Sequence, residues 1–236
     1  MSLDSVKIKR LVLSSTLSVS IYDIMKNIFI YLSLALCLVG LQSSNSTDGF
    51  EGEITFEIEY ISVPADMKPM ESMLPKKMTM HLKDGKTRID QGMMGGKQII
   101  IVDPSTEKVH VLINLMGQKM HMETPVNEHE SKNNATMKYV YKSEYKDVAG
   151  YKCQRVEATS SDGHSMVIYV TEEFAVNHYE FDGLKGFPLE YQVNQQGMEL
   201  SMKALSLRET AIDDSQFEIP SGYNKVDPNM FKGMMR

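Results

Sequence analysis

Phe50–Ser62 reads FEGEITFEIEYIS, and its alternation decides the fold. Ile54, Phe56, Ile58 and Tyr60 fall on one face of an extended chain and Glu53, Thr55, Glu57 and Glu59 on the other, the period-two pattern of a half-buried strand. The same period returns in Lys77–Lys83 (KMTMHLK), where Met78, Met80 and Leu82 share a face, and Asp84-Gly85 then supplies a hairpin turn into Thr87–Gln91. Gln98–Val102, ended by Asp103-Pro104, is followed by Lys108–Leu115 (KVHVLINL) and Lys119–Thr124 (KMHMET), which continue a meander. Beyond Pro125–Thr136, a polar stretch without period, come Met137–Tyr145, Tyr151–Thr159, Ser165–Thr171, Pro188–Asn194 and Met198–Leu207, again short and bounded by turn residues. Glu172–Tyr179 is the one credible helix, and Asp213–Tyr223 closes the domain. So many short strands at hairpin spacing predict a mainly β, antiparallel sheet, strongly curved or closed, with one or two short helices.

Upstream of the strands, Met25-Lys26-Asn27 is followed by the charge-free apolar run Ile28–Leu41 (IFIYLSLALCLVGL). At 14 residues it is short of the roughly 20 that a spanning helix needs and within the range of a signal h-region. The reading is therefore residues 1–24 as an over-called extension, 25–43 as a signal peptide and 44–236 as one antiparallel β domain, exported to the periplasm or the outer membrane. Cys37 invites a lipoprotein reading, but Leu36 before it is large and the Cys lies inside the apolar run, so an ordinary signal is preferred. The mature chain then keeps Cys153 alone and has no intramolecular disulfide.

Composition narrows the function. A net charge of −6, from 25 basic and 31 acidic residues with no segregated basic patch, argues against nucleic acid as a partner. There is no G-x-S-x-G, H-E-x-x-H or C-x-x-C, and Gly92–Lys97 (GMMGGK) has the wrong spacing for a phosphate loop. Glu53, Glu57 and Glu59 lie on the polar face of a strand, where solvent is their ordinary neighbour. No catalytic residue, cofactor or metal is expected. Cys153 in a strand reads as a small buried hydrophobe, Asn134-Ala135-Thr136 as a chance sequon, and the six His as isolated surface or loop residues.

Four stretches carry a family resemblance: Ala149-Gly150-Tyr151-Lys152-Cys153, Val167–Thr171 (VIYVT), Leu184–Glu190 (LKGFPLE) and Phe217–Tyr223 (FEIPSGY). With the Met-rich hairpins around Met78–Met80 and Met116–Met122 they resemble domain of unknown function 4412, a group of exported bacterial proteins, from about Phe50 to the C-terminus. The resemblance implies an antiparallel half-barrel similar to the lipoprotein carriers LolA and LolB, whose concave apolar face holds acyl chains. It implies no catalytic residues.

The 19 methionines supply the remaining signal. Unbranched thioethers fill irregular space and adapt to varied apolar ligands. The expectation is a non-enzymatic carrier or binder of an acyl chain, another apolar small molecule or a lipidated protein, with a membrane surface as a further contact. Ile54, Phe56, Ile58, Met78, Met80, Leu82, Met120 and Met122 would line its face. Two alternatives stand beside it. One is a periplasmic copper module built from Met and His, which strand geometry disfavours because Met80 and His81, or Met120 and His121, point to opposite faces. The other is an envelope protein whose interior is filled by its own side chains.

Overall fold

The computed structural model describes residues 50–125, 137–161, 163–173, 181, 183–195 and 197–227. The expected extension, signal and Cys37, the polar connection 126–136 and the body of the helix expected at Glu172–Tyr179 lie outside these residues.

Among the described residues twelve strands form one sheet, open and curved. They are β1 (Gly52–Ser62), β2 (Lys77–Lys83), β3 (Lys86–Met93), β4 (Gly96–Asp103), β5 (Lys108–Leu115), β6 (Gln118–Pro125), β7 (Met137–Val148), β8 (Tyr151–Ser160), β9 (Ser165–Thr171), β10 (Phe187–Gln195), β11 (Met198–Glu209) and the short β12 (Asn224–Lys225). The order across the sheet is β12-β6-β5-β4-β3-β2-β1-β11-β10-β9-β8-β7. β2 to β6 and β7 to β11 are thus two antiparallel meanders, and β1 joins them by pairing with β2 on one side and β11 on the other. Among the described strands only β12 runs parallel to its neighbour, β6.

Turn chemistry explains the tight hairpins. Asp84-Gly85, Met116-Gly117 and Ala149-Gly150 each place two successive residues at positive φ, the backbone that matches the right-handed twist of the strands they join. In the turn before β10, Gly186 sits at φ 87°, and a Cβ there would stand 2.6 Å from the Thr171 carbonyl oxygen, so both backbone and space require glycine.

Period two sorts the faces as the sequence predicts. In β1 the side chains of Ile54, Phe56 and Ile58 are buried and those of Glu57 and Glu59 exposed. The inner face gathers one continuous apolar cluster with contributions from every strand from β1 to β11. Curvature shows in the rings: Phe56 of β1 meets Tyr191 of β10 edge to face at 6.3 Å although β11 lies between their strands. Met67 and Leu74, from the segment between β1 and β2, enter the same core, as does Phe181.

Helix is scarce, as expected. Among the described residues there are short 3₁₀ turns at Lys68–Met73, Pro104–Thr106 and Asp214–Phe217. No described helix is long and apolar enough to cross a membrane.

Candidate functional site

Cross-strand register sets the geometry of the inner face. One transverse row runs Ala204, Phe56, Met78, Gln91, Gln98, Ile113, Met120 from β11 to β6. The next runs Leu207, Ile54, Met80, Ile89, Ile100, Val111, Met122. Leu82 begins a third with Thr87, Val102 and Val109, and Ile58 lies beyond Phe56 against Met202. The eight residues expected to line the face therefore meet in one cluster, seven of them buried and Met120 packed against it half-buried.

Sequence reading missed the polar side chains inside these rows. Gln91 and Gln98 face each other across β3 and β4, 3% and 1% exposed, and Thr87 is equally buried. Neither amide oxygen nor amide nitrogen of either Gln, nor the Thr87 hydroxyl, has a hydrogen-bond partner within the protein. A buried polar group left unpaired costs about 1–3 kcal/mol, so two adjacent amides are an expensive feature of a core that packs only against itself. The strand period held the clue: Gln91 and Gln98 fall in phase with Ile89 and Ile100.

The outer face is ionic. His81 stands between Glu53 at 3.7 Å and Asp90 at 3.5 Å, opposite in direction to Met80 in the core. Burial alone would raise the Asp90 carboxyl, but hydrogen bonds from His81 and Arg88 outweigh it and hold it far below the ordinary range. Met116 is 75% exposed at its turn. Methionine and histidine do not converge along either strand, as the alternation requires.

The histidines themselves correct the expectation of isolated residues. The Met116-Gly117 turn registers β5 on β6 so that His110 opposes Glu123 and Leu112 opposes His121. His110 Nδ1 and His121 Nε2 are 3.0 Å apart, and with a Glu123 carboxylate oxygen they lie within 4.8 Å of one another. Burial lowers the pKa of both imidazoles. Lys108 at 2.8 Å and Lys225 at 3.1 Å bind the two Glu123 oxygens and draw its pKa down to about 2. Counting outwards from Met116-Gly117 would have revealed the pair from sequence.

Cys153 is fully buried, and burial pushes its thiol up to about 11, the setting of a packing residue rather than a nucleophile.

Fold and inner face define a class: a mainly β protein whose single curved antiparallel sheet lines an apolar interior. The chain belongs to the domain of unknown function family DUF4412, whose profile matches residues 64–181, half of its length. No curated protein matches it. Among solved structures it is similar to PNGF-II in a C2 crystal form, at 14% identity and TM-score 0.47 over 79% of this chain and 33% of that one. It is also similar to the Pseudomonas aeruginosa MucA/MucB complex, at 14% identity and TM-score 0.41 over 72% of this chain and 56% of that one. LprF from Mycobacterium bovis gives 7% identity and TM-score 0.34 over 74% of this chain and 90% of that one. The chain spans a third to about half of the first two proteins. These are partial likenesses of shape, and no activity is taken from them.

Proposed function

We propose that the protein is a non-enzymatic carrier or binding protein of the cell envelope, and that its ligand is an acyl chain carrying a neutral ester or amide, free or on a lipidated protein. The observation that carries this reading is the unpaired Gln91–Gln98 couple set in the apolar row of Phe56, Met78 and Met120. An ester or amide carbonyl can accept from a Gln amide nitrogen, whereas a carboxylate there would be an unpaired charge in an apolar interior. Each buried CH₂ adds about 0.8 kcal/mol, so a run of about eight offsets a large part of the cost of association. Met67 and Leu74 reach the core from a segment outside the sheet and can yield to a ligand without breaking a ladder bond. Export is supported by the charge-free run Ile28–Leu41 after Lys26.

A second reading, an envelope protein with a filled interior, is favoured by the burial of Ile54, Phe56, Ile58, Met78, Met80, Leu82 and Met122 to 3% exposure or less. Extraction separates the two. Protein purified from its native envelope and extracted with organic solvent is expected to release an acyl lipid detectable by mass spectrometry, with less from Met80→Glu and Met120→Glu. Well-folded wild type that yields no lipid supports the filled interior.

A further inference from the structure

We propose that His110, His121 and Glu123 form a binding site for a divalent transition-metal ion of zinc type, on the outer face of the sheet and independent of the apolar rows of the inner face. All three side chains come from one hairpin, β5 to β6, whose register is fixed by the Met116-Gly117 turn. Two imidazoles and a carboxylate are a donor set that zinc accepts, leaving a fourth position for water. The spacing fits. Zinc–nitrogen bonds of about 2.0–2.1 Å put two imidazole nitrogens of a tetrahedral ion about 3.3 Å apart, and His110 Nδ1 and His121 Nε2, hydrogen-bonded to each other at 3.0 Å, stand near that separation, so an ion would replace the proton they share. The carboxylate oxygen joins them within 4.8 Å without a change of strand register.

His121 is buried, while His110 and Glu123 are half-buried and give the ion access from solvent. Lys108 and Lys225 oppose the ion by occupying the carboxylate. Their side chains are 50% and 65% exposed, so one can swing into water as the cation takes its oxygen. Lys225 belongs to β12, whose two residues align with Met120 and His121, and the following Val226 N–H donates to the His121 carbonyl. Metal capture would therefore loosen one tie between β6 and the C-terminal segment.

The test is calorimetric titration of the purified, tag-free full chain with Zn²⁺, alongside Co²⁺ absorption spectra. One equivalent is expected to bind. His110→Ala, at a half-exposed position that the fold can spare, is expected to weaken binding at least about tenfold, since loss of even an outer supporting group at metal sites costs 10–100-fold. Glu123→Gln should weaken it, and Lys225→Ala should tighten it several-fold by removing a competing positive charge. Circular dichroism and urea midpoints report whether each variant is folded. No stoichiometric zinc binding by wild type, or undiminished binding by folded His110→Ala, would overturn the proposal, and an unchanged affinity in Lys225→Ala would contradict the competition on which it rests.

Discussion

Asp90 shows how one residue on the outer face can set the acid limit of the fold. Its carboxylate is bound by Arg88, and the Arg88 guanidinium also donates to the Gln216 carbonyl at 2.8 Å. His81 and Lys97 face it at 3.5 and 3.9 Å. Because its folded pKa lies far below the ordinary value of 3.8, the unfolded chain takes up the proton first as pH falls. The stability it contributes is thus present above about pH 4 and lost below it. Between about pH 5 and pH 3 the urea midpoint of wild type is expected to fall more steeply than that of Asp90→Asn, and parallel slopes would contradict this role. Asp90 was legible as a polar-face residue from the alternation of β3, but Gln216, whose carbonyl anchors the Arg88 beside it, lies 128 positions beyond Arg88 and is invisible to any local pattern.

At the scale of elements, the segment after β11 behaves as a belt across the outer face. The Ile212 N–H donates to Glu51 at 2.7 Å, Lys83 donates to the Ile212 carbonyl at 2.7 Å and pairs with Asp214 at 2.9 Å, and Arg88 holds Gln216. The belt then lays Phe217 and Tyr223 on Ile99, Ile101 and Leu112, a small second core outside the sheet, before β12 pairs with β6. This explains why β4 reads as a nearly continuous apolar run, QIIIV, instead of alternating: both of its faces are covered. Phe217→Ala is expected to cost about 1–2 kcal/mol, less than a fully buried Phe because the ring is half-exposed, with urea unfolding as the measure. A change below a few tenths of a kcal/mol would show that the belt does not hold the outer face. Strand positions such as Lys108–Leu115 were legible to the residue because turns and period agree there. The belt was not, since Asp213–Tyr223 has no period and its role depends on what lies beneath it. The His110–His121 contact needs the pairing of two strands before it exists at all.

At the scale of the whole molecule, alternation assigns faces but does not choose neighbours. Hairpin spacing accounts for every neighbour in both meanders except β9 and β10, which fifteen residues separate, whereas the pairing of β1 with β11, from Gly52 against Glu209 to Ser62 against Glu199, closes the chain over nearly its whole described length. That pairing places Phe50–Ser62, the segment that announces the fold, at the centre of the sheet. The two ends are left to β7 and to β6 with its two-residue partner β12, and β7 carries Lys138, Lys142 and Lys146, charges that discourage edge-to-edge association. The inner face expected from sequence is present as rows of Phe, Ile and Met, but their burial left the unpaired Gln91 and Gln98 as the feature that points beyond packing. The most direct test compares wild type with the double variant Gln91→Leu/Gln98→Leu by fluorescence titration with a neutral fluorescent acyl ester. Wild type is expected to bind saturably. The double variant should be at least as stable to urea, because two unpaired amides are gone, yet bind about tenfold or more weakly. A wild type that does not bind the ester, or a double variant that binds it as tightly, would contradict the account.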